Sequence, residues 1–397
     1  MTRTAKHRII AASRHPALVA AVVAALALAA TVAFAPASAV SDSNPTLAFE
    51  QAKRDGCQAE LASATTPAQR SRAQTCINDA ERAIAWLTSP TPTARPSGSP
   101  TASPAPSASP TPTVTPVRCP VAGSNVAGGA DLWGGCWPGA GNTGVPATTM
   151  LTAYTGPCTI TAAGTVIDAK LVTCATLDIR AANVTIRNSR LYRVDVTDAD
   201  TPTASFTITD STVENAAREQ CLCIGGHDFT VLRVEVVGGN RSVYCMLRCV
   251  VQDSWLHGQL LQGAQHGSGL REEQFTTARH NTLVCDFPTV DDTTGLGCSA
   301  DLTGYPDFAP IHDNRIERNL FLASITSSFC AYGGATAGKP FSGSPLNATN
   351  QVFVDNVFQR GSNSRCGFYG PVTDFAAGRS GNVWSGNRWD SGELVTA

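Results

Sequence analysis

The stretch Val184-Thr-Ile-Arg-Asn-Ser-Arg-Leu191 decides the fold, because the same eight-residue pattern returns as far as the C-terminus. The pattern is apolar-x-apolar-x-polar-(Ser/Asn)-x-apolar. Phe206-Thr-Ile-Thr-Asp-Ser-Thr-Val213 and Phe229-Thr-Val-Leu-Arg-Val-Glu-Val236 are clean copies, and looser copies begin at Cys249, Thr276, Asn314, Gln351 and Asn382. Successive copies start 22, 23, 20, 27, 38, 37 and 31 residues apart. A period near 22 with strand-like alternation predicts a β-solenoid, in which each coil buries its inward side chains by stacking on the next.

Each position of the pattern has a predicted structural role. The first and third residues point inward from a strand, the polar–Ser/Asn pair forms a corner, and the last apolar residue begins the next strand. Corner Ser and Asn side chains can stack into a hydrogen-bonded ladder that satisfies buried backbone amides. The predicted ladder consists of Ser189, Ser211, Ser254, Asn281, Asn319, Asn356 and Asn387.

On this repeat, residues 150–397 resemble the right-handed parallel β-helix family, whose best-known members are pectate-lyase-like polysaccharide enzymes. The resemblance implies an all-β, right-handed parallel β-helix solenoid in a secreted bacterial protein. It further implies a polysaccharide as partner, cleaved by a lyase or a hydrolase. Because the resemblance rests on the repeat alone, the implied activity is a fold-level analogy.

The chain begins with the features of a secretory signal peptide, residues 1–39. Four basic residues precede an apolar run at 17–35, and Ala37-Ser-Ala39 matches a cleavage site; an uncleaved membrane anchor is the alternative. No later stretch is apolar enough to span a bilayer. The remaining chain has 25 basic and 31 acidic residues, a net charge of −6, which argues against a nucleic-acid partner. We therefore expect a secreted, extracellular protein, free or held at the cell surface.

Three further segments follow the signal peptide. Residues 40–89 show helical periodicity after two proline-containing caps, and predict a helical hairpin joined by Cys57 and Cys76, either a spacer or a binding module. Residues 90–117 contain nine prolines among Ser, Thr and Ala, and predict an extended, disordered linker. Residues 118–397 form the solenoid domain, and we expect 118–150 to be an irregular N-terminal cap over the first coil.

Fourteen cysteines, all after the signal peptide, indicate a disulfide framework in an exported protein. Besides the hairpin bridge, spacing favours Cys119–Cys136, Cys158–Cys174, Cys285–Cys298 and Cys330–Cys366. The remaining four, Cys221, Cys223, Cys245 and Cys249, would pair among themselves.

Coil spacing lengthens after residue 276, so the extra residues must leave the solenoid as loops, at 286–310 and 323–350. We align the strands beside these loops as 267–273, 297–302, 328–332 and 365–369, with Leu270, Ala300, Phe329 and Phe368 pointing inward. Alternation then turns outward Arg271, Glu273, Asp301, Cys330, Tyr332 and Tyr369. His257 and His266 precede the first of these strands and are expected to reach the same groove.

This surface suggests two catalytic mechanisms. In a lyase, Arg271 would neutralise a uronate, and Tyr332, His266 or His257 would remove the proton. In a hydrolase, Glu273 and Asp301 would act as acid and base or nucleophile. Substrate would also contact Tyr369 and the pair Trp133 and Trp137, which stack on sugar rings unless they only pack the cap.

Each of these residues also has a structural interpretation. Arg271 and Glu273 would form a surface ion pair, Asp301 would cap a turn, and Tyr332 and Tyr369 would cover the sheet. His227, His280 and His312 lie at or near corners and are expected to be structural. A non-catalytic adhesin or a structural carbohydrate-binding solenoid on a stalk is the alternative to an enzyme.

No metal site or cofactor is assigned from the sequence. Ca²⁺ is the one ion considered, at Asp286, Asp291, Asp292 and Asp307. An ordinary acidic loop is the competing interpretation.

Overall fold

A computed structural model describes residues 118–397 except 197–202, 217–221 and 292–293, together with helical positions 51, 54, 55, 58, 61, 62 and 70. The signal peptide, the linker, the Cys57–Cys76 bridge and the rest of the predicted hairpin lie outside the described residues. Within the part of the chain that is described, no helix has the length and apolar character needed to cross a bilayer.

The solenoid domain is a parallel β-helix with three faces, each built from one strand per coil. Successive coils pair in parallel, for example Val184 with Phe206 on one face and Val213 with Val236 on another. Among the described residues, one sheet has ten strands, and the other has 16 because β14 and β16 cross a corner and join two faces. This architecture confirms the predicted fold class.

In chain order, each coil passes face 1, face 2 and face 3. Face 1 contains β2 (Thr159–Ile160), β5 (Leu177–Ile179), β8 (Val194–Asp195), β11 (Leu222–His227), β18 (Gly297–Thr303), β21 (Phe329–Tyr332) and β24 (Gly370–Thr373). Face 2 contains β3 (Val166–Asp168), β6 (Val184–Arg187), β9 (Phe206–Thr209), β12 (Phe229–Leu232), β19 (His312–Glu317), β22 (Thr349–Val354) and β25 (Val383–Ser385). The N-terminal halves of β14 (Arg241–Gln252) and β16 (His266–Arg279) belong to face 1 and their C-terminal halves to face 2. Face 3 contains β1 (Thr152–Ala153), β4 (Lys170–Val172), β7 (Arg190–Leu191), β10 (Thr212–Asn215), β13 (Glu235–Gly238), β15 (Trp255–His257), β17 (Thr282–Leu283), β20 (Leu320–Phe321), β23 (Val357–Phe358) and β26 (Arg388–Trp389).

The core consists of apolar rows that run along the solenoid axis. On face 2 the row is Ile167, Ile186, Ile208, Val231, Val251, Ala278, Ile316 and Phe353, all at most 1% exposed. On face 3 the row includes stacked Phe321 and Phe358, whose ring centroids are 4.6 Å apart, and Trp389 of the last coil follows Phe358. The first and third positions of the repeated pattern therefore point inward, as predicted, and so does the eighth, for example Leu191, Val213 and Val236.

The corner between faces 2 and 3 uses both residues of the polar pair. The first residue has a left-handed backbone, with φ of 47° at Asp210 and 50° at Asp253, a region in which Asp and Asn are enriched. The second residue forms the predicted ladder: the Asn281 backbone N–H donates to Asn319 Oδ1 at 3.0 Å, and the Asn319 N–H donates to Asn356 Oδ1 at 2.9 Å. The Asn319 side-chain amide also donates to the Ala278 carbonyl at 2.9 Å.

Disulfides tie neighbouring parts of the solenoid together. Four predicted bridges are present: Cys119–Cys136, Cys158–Cys174, Cys285–Cys298 and Cys330–Cys366. Cys245 pairs with Cys249, one of the pairings left open by sequence, and Cys221 lies outside the described residues. Such a framework is compatible with an extracellular protein.

Residues 119–146, here called the N-terminal strap, lie along the outside of face 3. Asn125 donates to the Asp390 carbonyl of the last coil at 3.1 Å, Thr282 donates to the Pro138 carbonyl at 2.7 Å, and the Gly144 N–H donates to the Arg233 carbonyl at 3.1 Å. The strap was expected to cover the first coil; instead it runs along the side, from the last coil back towards the first. The apolar outer side chains Leu320 and Val357 explain this course, because buried Trp137 packs on them.

Candidate functional site

The register of face 1 fixes which predicted side chains turn outward. Leu270 pairs with Leu302, and Leu302 with Ala331, so the inward row is shifted by two residues from the expected alignment. A shift of two preserves the face, so Arg271 and Tyr332 remain outward.

The expected inward orientation of Phe368 is wrong. Phe329 pairs with Gly370, so the last strand of face 1 is Gly370–Thr373 and not 365–369. Phe368 precedes this strand and is 55% exposed. Because Phe368 is apolar, the alternation of the sequence suggested that it points inward. Val372, which pairs with Ala331, occupies that inward position instead.

Arg271 is the centre of a cluster on the outer side of face 1, and its side chain is only 3% exposed. Its Nη2 atom lies 3.4 Å from Glu273 Oε1 and 3.2 Å from Asp307 Oδ2. Its guanidinium carbon lies 5.0 Å from the Tyr244 ring centroid and 5.1 Å from that of Phe308. Arg271 and Glu273 do meet, but as a buried ion pair under aromatic rings and not as a surface pair.

Tyr244 fixes the carboxylate of this cluster. Its hydroxyl donates to Glu273 Oε1 at 2.5 Å. Burial, and then the negative charge of Glu273, raise the pKa of Tyr244 far above its ordinary value. Glu273, itself 2% exposed, therefore has a neutral donor on one side and a guanidinium on the other, and is closed to water.

Asp301 lies apart from this cluster. It is fully buried, its Oδ1 accepts the Cys285 N–H at 2.8 Å, and a carboxylate oxygen lies within 4.8 Å of the sulfurs of Cys330 and Cys366. Burial is the main cause of a pKa raised well above the ordinary range of Asp. A protonated, enclosed Asp301 with no recorded contact to Glu273 is not arranged as the partner of a hydrolytic pair.

The two histidines predicted beside Arg271 do not reach it. His266 is exposed at the start of β16, five residues before Arg271, which is roughly 16 Å along a strand. His257 belongs to β15 on face 3, where its ring stacks on Trp255 at 3.7 Å. The three histidines expected to be structural do bond to corner aspartates: His227 to Asp228, His280 to Asp253 and His312 to Asp313.

Tyr332 belongs to an aromatic strip that crosses the late coils of face 1. Neighbouring ring centroids are 4.8 Å apart for Tyr305 and Tyr332, 5.6 Å for Tyr332 and Phe329, 5.7 Å for Phe329 and Tyr369, and 4.8 Å for Tyr369 and Phe368. Burial, and then the neighbouring Tyr305, raise the pKa of Tyr332. The hydroxyl of Tyr332 is therefore held protonated, which does not suit a general base.

The exposed end of the strip borders a shallow groove of about 450 Å³, here called the Phe368 groove. It is lined by Ile325, Ser362, Asn363, Arg365 and Phe368. Tyr369 is 65% exposed beside it. The sequence analysis did not predict this groove. Two adjacent aromatic residues in the otherwise polar segment Gly361-Ser-Asn-Ser-Arg-Cys-Gly-Phe-Tyr369 are the sequence feature that indicates an exposed aromatic surface.

The predicted tryptophan pair packs the strap. Trp137 is fully buried, and its ring stacks on His280 with centroids 5.2 Å apart. Trp133 is 40% exposed and lies under the Arg318 guanidinium at 5.2 Å. The packing interpretation thus describes Trp137, which no ligand can reach in this arrangement.

Two of the four residues considered for Ca²⁺, Asp286 and Asp307, bind other groups of the protein. Both carboxylate oxygens of Asp307 bind cations, Oδ2 to Arg271 and Oδ1 to Lys339 at 3.0 Å. Asp286 accepts the Gly258 N–H at 2.8 Å, and Asp292 lies outside the described residues. Across the described ranges, the one cluster of metal-ligating atoms combines Asp301 with Cys330 and Cys366, whose sulfurs are bonded to each other.

Comparison of the chain with protein-family models, with curated proteins and with solved structures gives no match.

Proposed function

We propose that this protein is an exported parallel β-helix, related to the pectate-lyase-like solenoids, that binds a polysaccharide or cell-wall glycan without cleaving it. The observation that carries the proposal is the exposed aromatic pair Phe368 and Tyr369 beside the polar Phe368 groove. Contiguous exposed apolar surface with a polar rim marks interaction sites in soluble proteins.

The chemistry of the groove suits a sugar. Pyranose rings present apolar C–H faces that stack on aromatic rings, and equatorial hydroxyls that need donors and acceptors. Phe368 and Tyr369 supply rings, 55% and 65% exposed. Ser362, Asn363 and Arg365 supply a hydroxyl, an amide and a guanidinium on the same wall. An apolar platform with a few convergent polar groups is the usual form of a ligand site.

Binding is favoured over cleavage because the arginine and the two carboxylates predicted to be catalytic on face 1 are buried. Arg271 and Glu273 are each 2% exposed and bonded to each other, and Asp301 is 0% exposed. A hydrolase or lyase needs an acid or base that reaches the scissile bond. Neither carboxylate has that access in this arrangement.

Export and display complete the proposal. The sequence predicts a signal peptide and a Pro-rich linker. The disulfide bridges are compatible with an oxidising compartment. A linker of this composition would hold the solenoid away from its point of attachment, where an insoluble glycan can reach face 1.

The test is retention of the purified protein on a panel of insoluble polysaccharides, with reducing ends and unsaturated products recorded in the same samples. We expect retention on at least one polymer, weakened at least tenfold, about 1.4 kcal/mol, by Tyr369→Ala or Phe368→Ala. Tyr192→Ala removes a tyrosine that is 50% exposed outside the site, and should bind as the wild type does. Formation of cleavage products would show that the protein is an enzyme and would overturn the proposal. An equal loss of retention in Tyr192→Ala would show that the Phe368 groove is not the binding site.

A further inference from the structure

The N-terminal strap is joined to the solenoid through one histidine. His280 occupies the left-handed corner position after β16, with φ of 50°. Its Nδ1 lies 2.6 Å from Asp253 Oδ1, on the corner one coil earlier, and its Nε2 lies 3.1 Å from Asp131 Oδ2, in the strap. The imidazole therefore bridges a carboxylate of the scaffold and a carboxylate of the strap.

The carboxylate of the strap is itself held in place. Asp131 Oδ1 accepts the backbone N–H groups of Trp133 at 2.7 Å and Gly135 at 2.8 Å, and its side chain is 4% exposed. This leaves Oδ2 directed at His280. A Cβ added at Gly135 would lie 2.6 Å from Oδ2, so only glycine leaves room for this geometry.

Hydrogen bonds from both ring nitrogens to carboxylates require the imidazolium form. An ionised carboxylate only accepts hydrogen bonds, so each ring nitrogen must donate, and only the imidazolium form carries both protons. A neutral ring keeps one of the two bonds and faces the other carboxylate with a lone pair.

The charges facing this ring are few. Asp253 and Asp131 bond to it, and Trp137 and Trp133 cover it from the strap. The corner arginine of the neighbouring coil, Arg318, lies over the Trp133 ring.

The other nearby cations are paired with carboxylates. Arg233 binds Asp210 in a bidentate pair, and Arg279 lies 3.3 Å from Glu317. The remaining hydrogen bonds between strap and coils join neutral amides, hydroxyls and carbonyls, such as Gln359 Nε2 to the Asn125 carbonyl at 2.7 Å. Among the described residues, His280 is thus the one histidine that joins the strap to the coils.

We propose that protonated His280 is a pH-dependent clasp that holds the N-terminal strap on face 3, and that loss of its proton loosens the strap and uncovers the apolar surface around Leu320 and Val357. The sign follows from the bonding. The clasped form binds one proton more than the open form with a neutral ring, so the clasp is complete at mildly acidic pH and is lost as pH rises.

At low pH the clasp requires Asp253 to remain ionised. Burial raises its pKa, but the hydrogen bonds from His280 and Gln252 outweigh burial and leave the pKa of Asp253 below its ordinary value. The scaffold carboxylate therefore stays ionised through the mildly acidic range in which the clasp is strongest.

The test is hydrogen exchange of the full chain at pH 5.5, 7.0 and 8.5, with rates converted to protection factors. In peptides covering 119–146 we expect protection to fall at least tenfold between pH 5.5 and 8.5, while peptides from β9 and β12 keep theirs. His280→Gln, which cannot become charged, should show low protection of the strap at every pH. Asp131→Asn, which keeps the contact but loses the charge, should also remove the pH dependence.

Asp355→Asn is the matched control, because Asp355 occupies the same corner position two coils after His280, with φ of 57°, and forms no hydrogen bond or ion pair with the described residues of the strap. It should retain the wild-type pH dependence. Constant protection of the wild-type strap across this range, or the same pH dependence in His280→Gln, would overturn the proposal. If His280→Gln loses protection in β9 and β12 as well, the variant has unfolded. The pH dependence of strap protection in Asp131→Asn is then the test of the proposal.

Discussion

Glu272 is a carboxyl group inside the solenoid, and its replacement by methionine should stabilise the protein. Glu272 follows Arg271 on β16 and therefore points inward, opposite Cys245 of the previous coil. It is 0% exposed, and neither of its oxygens has a hydrogen-bond partner among the described residues. Burial raises its pKa well above the ordinary value, so the folded protein holds it protonated.

The expected gain follows from that burial. An unpaired buried polar group costs about 1–3 kcal/mol, and methionine fills a similar volume without the polar atoms. For a domain of this size each kcal/mol shifts the midpoint of thermal unfolding by about 2–4 °C. Glu272→Met should therefore raise Tm by roughly 2–12 °C at neutral pH.

The gain should depend on pH in a defined direction. The folded-state pKa of Glu272 lies above its unfolded value, so its contribution is most favourable below the unfolded pKa and is lost as pH rises towards the folded pKa. Across that interval the free energy of unfolding of the wild type falls by up to about 1.4 kcal/mol per pH unit relative to that of a variant that cannot ionise at this position. The advantage of Glu272→Met should therefore widen from pH 4 to pH 8.

The assay is thermal unfolding followed by circular dichroism across that range. Glu272→Gln is the control, because it removes the ionisation and keeps an unpaired polar amide. It should abolish the extra pH dependence and gain less stability than Glu272→Met. A constant difference between wild type and Glu272→Met at all pH values, or a lower Tm for Glu272→Met at pH 8, would refute this reasoning.

Three further changes test the corner ladder, the disulfide framework and the strap. Asn319→Ala leaves the Asn281 N–H without its acceptor and removes the side-chain hydrogen bond to the Ala278 carbonyl, and should lower the free energy of unfolding by roughly 2–4 kcal/mol in calorimetry. A loss under 0.5 kcal/mol would mean that the ladder is not stabilising. Replacing Cys330 and Cys366 together by alanine opens a loop of 36 residues and should cost roughly 4 kcal/mol in denaturant unfolding; an unchanged midpoint would contradict this estimate. Trp137→Ala empties a fully buried site between strap and coils, so proteolysis within 119–146 should accelerate while the far-ultraviolet spectrum stays the same; equal cleavage rates would show that Trp137 does not anchor the strap.

The repeat predicted the architecture well because one physical rule governs each of its positions. Alternation placed Ile186 and Ile208 inward, and the need to satisfy corner amides predicted the ladder from Asn281 to Asn387. Short-range spacing also predicted four disulfides, because cysteines on adjacent elements meet once the coil closes.

The site was less predictable because it depends on loops that leave the repeat. Alternation placed Arg271 and Tyr332 outward, but it carries no information about Tyr305, Asp307 and Phe308, which cover Arg271. Nor does local sequence reveal that the chain before β1 returns along the coils, since contacts such as Asn125 with Asp390 span 265 positions.

The course of the strap determines where the preceding linker joins the solenoid. A Cβ at Gly141 would lie 2.4 Å from Pro120 Cβ, so the start of the domain lies against the part of the strap between Pro138, at β17, and Gly144, at the corner before β13. The linker predicted to precede residue 118 therefore joins a rod roughly 40 Å long near the middle of its side and not at an end. The preceding chain thus enters on face 3, whereas the exposed ring of Tyr369 lies beside face 1, so the point of entry and this ring lie on different sides of the rod.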